Sequence, residues 1–148
     1  MRIIGCGNLH RGDDAAGIIA AERLRALGVE AAVCVGGFAQ LMDMWHGADD
    51  AIVIDAVVTG APAGTVHVWD ANRPLPFVKS SPSTHGMGIA EAIELSRALK
   101  RLPARLRIYG IEGQNFELGT PPVPEVVEAV EEVARRIAGE LQTQSEIA

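Results

Sequence analysis

A chain of 148 residues suits one domain with one core, and 48% apolar with 22% charged residues is the balance of an ordinary globular protein. A net charge of -6 and a pI of about 5.2 leave no electrostatic footprint for nucleic acid or an anionic membrane, and no basic run offsets that average. No apolar run approaches the roughly 20 residues of a membrane helix, and Ile3 to Cys6 is too short for a signal-peptide core, so cytoplasmic residence is expected.

In chain order the pattern predicts strand, helix, strand, helix, strand, strand, helix, strand, helix. Arg2 to Gly5 is a short apolar strand, followed by a polar turn from Asn8 to Asp13. A helix is predicted from about Asp13 to Leu27, with Ala16, Ile19, Ala20, Leu24 and Leu27 on one face and Gly28 to end it. Glu30 to Val35 reads as a second strand closed by Gly36-Gly37, and a shorter helix covers about Phe38 to His46. Ala51-Ile-Val-Ile-Asp55 is continuous and β-branched, as buried parallel strands tend to be. Gly60 to Gly64 is a loop, and Thr65 to Trp69 alternates like an edge or antiparallel strand.

Asn72 to Pro82 is a long polar stretch carrying Pro74, Pro76 and Pro82, a kind of loop that is often functional. Ser83 or Thr84 caps a predicted helix to about Lys100, with Ile89, Ala92, Ile93 and Leu99 inward and Pro103 beyond it. Arg105 to Ile111 is the last strand, and Gly113 to Pro122 is a loop. The closing helix begins near Pro124 and spaces Val126, Val130, Val133 and Ile137 by threes and fours, with a frayed tail expected after about Leu141. There is no internal repeat and no linker, so one domain is expected over 1–148. Strands alternating with helices imply an α/β three-layer sandwich: a mostly parallel sheet with helices on both faces.

Ligands of such sheets bind outside the carboxyl ends of the strands. Three metal-capable residues fall at that rim: Asp14 after the first strand, Asp55 at the end of the third, and His85 at the mouth of the third helix. Two carboxylates and an imidazole suit a divalent ion with coordination positions left open. Each residue has a plainer reading. Asp13 and Asp14 suit the start of a helix, and for Asp14 alone that reading is the stronger. His85 sits as naturally at a helix entrance. Asp55 resists such a reading, because a charge directly after Ala51-Ile-Val-Ile is costly unless paired or coordinated. His10 decorates the first loop, His46 suits a helix end, and His67 reads as a surface residue in mid-strand. Cys6 and Cys34 read as buried free thiols rather than a disulfide. Gly5-Cys-Gly7 lacks the third glycine and the acidic partner of a dinucleotide site, and no phosphate-binding Lys loop, HExxH or Gly-x-Ser-x-Gly is present.

Together these segments resemble a known family. Ile3-Ile-Gly-Cys-Gly-Asn-Leu-His-Arg-Gly-Asp-Asp14 with Ala15-Ala-Gly17, Ala51-Ile-Val-Ile-Asp-Ala56, and Ser83-Thr-His-Gly86 with Ile89-Ala-Glu-Ala92 are similar, in order, to three motifs of the hydrogenase maturation peptidases. Gly36-Gly37 and Tyr109-Gly-Ile-Glu112 also fall in place, so the likeness runs from about Arg2 to Ile137; Ala15, where many relatives have glycine, is a departure. The resemblance implies a twisted five-stranded sheet. It implies an endopeptidase that trims a short C-terminal extension from the nickel-loaded precursor of a nickel-iron hydrogenase large subunit, with nickel delivered by the substrate as the recognition signal. Asp14, Asp55 and His85 would engage that metal, and Gly36, Gly37 and Glu112 would lie along the substrate. No resident organic cofactor, nucleic acid or membrane partner is expected, and the chain is expected to be a monomer. Two rival readings use the same residues: a non-cleaving nickel-sensing assembly chaperone for the same precursor, and a hydrolase of a small molecule on a similar sheet.

Overall fold

The structure, a computed structural model, describes residues 1–75, 79–80 and 89–147, with 79–80 and 145–147 described through the backbone alone. Its elements are β1 (Arg2–Cys6), a 3-10 turn (Gly12–Ala15), α1 (Ala16–Ala26), β2 (Ala32–Cys34), α2 (Phe38–Trp45), β3 (Asp50–Val58), β4 (Val66–Asp70), β5 (Lys79–Ser80), α3 (Ile89–Ala98), β6 (Arg105–Glu112) and α4 (Pro124–Ile147). The strands form one sheet in the order β2-β1-β3-β6-β4. β2, β1, β3 and β6 run parallel, and β4 closes one edge antiparallel to β6, as its alternating sequence foretold.

Side chains alternate across this sheet with period two. Ile3, Ile52, Ile54, Tyr109 and Ile111 face α1 and α4, packing on Leu24, Val130, Val133 and Ile137. Ile4, Val53, Leu106 and Ile108 face the other way, toward Leu41, Met42 and Trp45 of α2 and Ile89 and Ile93 of α3. Two cores on opposite faces of one sheet make the three-layer α/β sandwich expected from the element order.

Three differences from the sequence reading bear on function. β3 runs on through Val58, three residues beyond Asp55, because Ala56-Val57-Val58 is itself apolar and finds partners on both sides. β6 pairs it as far as Val57, while the two-residue β5, which no sequence pattern announced, pairs antiparallel with Val57 and Val58 beyond the point where β1 stops at Ile54. The first helix opens with a 3-10 turn rather than at Asp13, because Gly12 and Asp13 give their N–H groups to Thr120 and Asn115 across the molecule. The proposed cap at Ser83 or Thr84 lies outside the described residues.

A pair of glycines sets how closely α1 meets the sheet. A Cβ on Gly5 would collide with the carbonyl oxygen of Gly17, and a Cβ on Gly17 would collide with the carbonyls of Cys6 and Ile54. Backbone therefore lies on backbone at Cys6, where β1 ends, and at Ile54 of β3, and the 3-10 turn carrying Asp14 is delivered to the carboxyl rim of the sheet.

Candidate functional site

Asp55 shares the sheet face of Val53, since the two are separated by one full pleat of β3. It is 4% exposed, and its Oδ1 accepts the N–H of Ala56 at 2.9 Å. Burial pushes its carboxyl well above the ordinary carboxylate range, the negative charge of Asp14 pushes it further, and the Ala56 N–H only partly offsets them. The strand's length places Asp55 inside the carboxyl half of β3 rather than at its last residue. It still opens onto the rim, because β1 pairs with β3 only as far as Gly5 and Ile54.

Asp14 comes to the same place from the 3-10 turn and is likewise buried. The turn is held from both sides: the Asp14 N–H donates to the Arg11 carbonyl at 3.0 Å, and the Asp14 carbonyl accepts the Asn8 N–H at 3.2 Å. Two carboxylates 41 positions apart in the chain thus share one buried mouth of the sheet, close enough for one to shift the other's titration.

The two thiols are part of this neighbourhood. Cys6 and Cys34 are register partners on β1 and β2, and both are free and buried as expected. The Cys34 sulfur beside it raises the Cys6 thiol well above its usual range, and burial with the charges of Asp55 and Asp14 adds to the effect. The Cys6 thiol in turn lowers Cys34 to about 7 against the opposing effect of burial, with help from the backbone at Gly36 and Gly37. Gln40, one helical turn into α2, ties this corner together: its Oε1 accepts the Gly36 N–H at 2.6 Å and lies 3.4 Å from the Cys34 sulfur. Gly37, at φ 79°, takes a backbone conformation that suits only a residue without Cβ.

Asp13 does different work from its neighbour. It is fully buried, yet its side chain caps nothing in its own turn. One oxygen accepts the N–H groups of Gln114 at 2.7 Å and Asn115 at 2.8 Å, and the other accepts that of Val123 at 2.8 Å. A single carboxylate thereby pins both ends of the 113–123 loop beside the site. Sequence reasoning missed this role, because all three donors lie more than 100 residues away and no local pattern announces them.

Glu112 and His67 also occupy unexpected surroundings. Glu112 is 1% exposed, at the end of β6. Its carboxylate accepts the Thr59 N–H at 2.8 Å and the Thr59 hydroxyl at 2.5 Å, and it lies 3.1 Å from His67 Nε2. His67 is no loose surface residue: its ring stacks on Trp69 at 4.8 Å and turns its Nε2 inward to Glu112. His10 contributes backbone bonds at the rim, its N–H to Asn8 Oδ1 and its carbonyl to the Gly119 N–H, and His46 follows α2.

His85, the third expected ligand, lies outside the described residues. Among the described residues no three His, Cys, Asp or Glu side chains converge on a point that would hold a metal ion. What the described part supplies is a pair of hard oxygen donors, Asp14 and Asp55, from which water is largely excluded. Such a pair suits a divalent cation that brings other ligands with it, and a carboxyl with a raised pKa also suits proton transfer. No helix among the described residues is long and apolar enough to cross a membrane.

The family model HycI, hydrogenase maturation protease, matches residues 34–140. Among solved structures, the chain is similar to the [NiFe] hydrogenase maturation protease HybD of Thermococcus kodakarensis, with 28% identity and a TM-score of 0.71 over 95% of this chain and 99% of that one. The protease HycI of Thermococcus kodakarensis KOD1 has 26% identity and a TM-score of 0.67, covering 95% and 92% of the two chains. The maturating endopeptidase HybD of E. coli has 21% identity and a TM-score of 0.69, covering 97% and 94%, and supports the fold alone. The comparison with curated proteins gave no match.

Proposed function

The chain belongs to the hydrogenase maturation protease family, and on that footing we propose that Asp14, Asp55 and His85 read a nickel ion carried by the substrate. The enzyme is a maturation endopeptidase that processes the C-terminus of the large subunit of a nickel-iron hydrogenase. In the proposed cycle the precursor of that subunit, already loaded with nickel, loses a short C-terminal extension. The observation that carries the reading is the meeting of two buried carboxylates, Asp14 and Asp55, at the carboxyl rim of the sheet.

The electrostatics support a site completed by its substrate. Two neighbouring carboxylates shielded from water repel each other, and a divalent cation placed between them relieves both the repulsion and the desolvation. A precursor without nickel offers no such relief, so the site would distinguish loaded from unloaded substrate. Hydrolysis of the amide adds a hydroxyl to the scissile carbonyl carbon and a proton to the departing amine. Gly36 and Gly37 follow Cys34 at the end of β2 and carry no side chains of their own, so the substrate strand would lie along this corner, where Gln40 already holds the Gly36 N–H.

The test compares the purified protein acting on nickel-loaded and nickel-free precursor, with the mass of the large subunit as the readout. Loss of the C-terminal extension from the loaded form alone is expected. Equal cleavage of both forms removes the nickel reading, and full cleavage by Asp55→Ala or His85→Ala removes the site assignment.

A further inference from the structure

Large apolar side chains left in water are ordinary when scattered, and informative when gathered on one surface. Leu9 is 48% exposed, Val35 68% and Leu118 67%. They come from three separate connections: the β1 to 3-10 turn, the end of β2, and the 113–123 loop. Backbone hydrogen bonds stitch these connections together. The Gly119 N–H donates to the His10 carbonyl at 2.7 Å, so Leu118 and Leu9 are each one residue from the same bond. The Gly7 N–H donates to the Cys34 carbonyl at 3.2 Å, which sets Val35 beside the start of the Leu9 loop. Asn8, next to Leu9, donates to the carbonyl of Asp14, and Asp13 holds the loop of Leu118 from inside. The three apolar side chains therefore stand on the frame of the catalytic mouth.

We propose that Leu9, Val35 and Leu118 form a docking face for an apolar segment of the large-subunit precursor next to its scissile bond. The inference rests on the endopeptidase reading of Asp14 and Asp55. Its occupant follows from continuity: a polypeptide that brings its scissile bond to those carboxylates must cross the loops that surround them. An apolar strip on those loops recognises apolar side chains, while nickel recognition falls to the carboxylates. The two requirements are separable, and selection among precursors falls to the loops rather than to the aspartates.

The experiment uses the double variant Leu9→Asp with Leu118→Asp on the nickel-loaded precursor, with KM, kcat, precursor Kd, melting temperature and light scattering measured together. KM and Kd are expected to rise about tenfold or more with kcat little changed, the pattern of lost ground-state binding. Val127→Asp, an exposed position on α4, keeps the wild-type KM, and Leu9→Met with Leu118→Met keeps most of the affinity. Should the aspartates lower the melting temperature, Leu9→Ser and Leu118→Ser taken singly carry the same comparison. Cleavage by the wild type with KM unmoved in the variants overturns the docking face and leaves the peptidase reading standing. A wild-type protein that neither binds nor cleaves the loaded precursor overturns both. A wild-type dimer dispersed by the double variant identifies a second copy as the occupant and overturns the proposal.

Discussion

At Asp55 a carboxyl group gives up its water and, among the described residues, receives in return one N–H, from Ala56, while Asp14 presses on it with like charge. Such a group is held in place by function and works against folding. Asp55→Asn keeps the shape and removes the charge. It is expected to leave the melting temperature unchanged or raise stability by up to about 2 kcal/mol, while precursor processing falls by about two orders of magnitude or more. Glu112 shows the opposite sign. Burial would raise its pKa, but the Thr59 hydroxyl, the Thr59 N–H and His67 together hold it below the ordinary carboxylate range. A carboxyl whose folded pKa is depressed contributes stability that is present above its unfolded pKa, about 4.3, and lost as pH falls through the folded value. Wild type and Glu112→Gln should therefore differ in melting temperature at pH 6–7 and converge below about pH 4. The Gln variant is the less stable by about 1–3 kcal/mol at the upper end. The sequence put both carboxylates at the carboxyl ends of apolar strands. It did not show which had partners, because Thr59 lies 53 residues from Glu112.

Among the elements, the seating of α1 is the most exacting. Gly17→Ala would drive a methyl group into the carbonyl oxygens of Cys6 and Ile54, which are sheet backbone and cannot step aside like the end of a flexible side chain. The expected cost is about 1–3 kcal/mol, a drop in melting temperature of roughly 2–4 °C per kcal/mol for a chain this size. Because the same helix carries the Asp14 turn, processing by Gly17→Ala should fall even at temperatures where the protein stays folded. The 113–123 loop depends on Asp13 in a comparable way. Asp13→Ala leaves three N–H groups without their shared acceptor, and hydrogen exchange at Gln114, Asn115 and Val123 should accelerate while the β3 amides stay protected. Helices were legible because their apolar spacing is local, as Val126, Val130, Val133 and Ile137 show. β5 was not, since two residues cannot display a period, and β3 seemed to end at Asp55 because a charge reads as the end of a buried strand. What continued the strand was pairing with β5 and β6, which only the assembled sheet supplies.

Across the whole molecule, the two cores share their strands. Ile52 and Ile54 face α1 and α4, and Val53 between them faces α2 and α3. Removing either helical layer exposes half the side chains of the strands that support the other. The Arg107 guanidinium and the Tyr109 hydroxyl both bond Glu140, at 2.7 and 3.1 Å, so the far end of α4 is tied to the central sheet as well. The order of strands and helices foretold this sandwich, because alternation of the two requires crossovers that cover both faces. The meeting of Asp14 with Asp55 was legible only as a general direction toward the carboxyl rim, and that of Cys6 with Cys34 was not legible at all. Calorimetry is expected to record one transition, with calorimetric and van't Hoff enthalpies equal and a heat-capacity increment of about 2 kcal/mol/K. Two separate transitions, or loss of the α2 and α3 layer while the α1 and α4 layer persists, would contradict the single domain proposed for 1–148. Carboxyl-terminal shortening sharpens the same measurement. Among the side chains described, Leu141 is the last of α4 that packs against the core, so removing 144–148 should move the midpoint by no more than about 1 °C. A cut before Glu140 frees Arg107 and Tyr109 from their shared partner and should lower the single transition without splitting it.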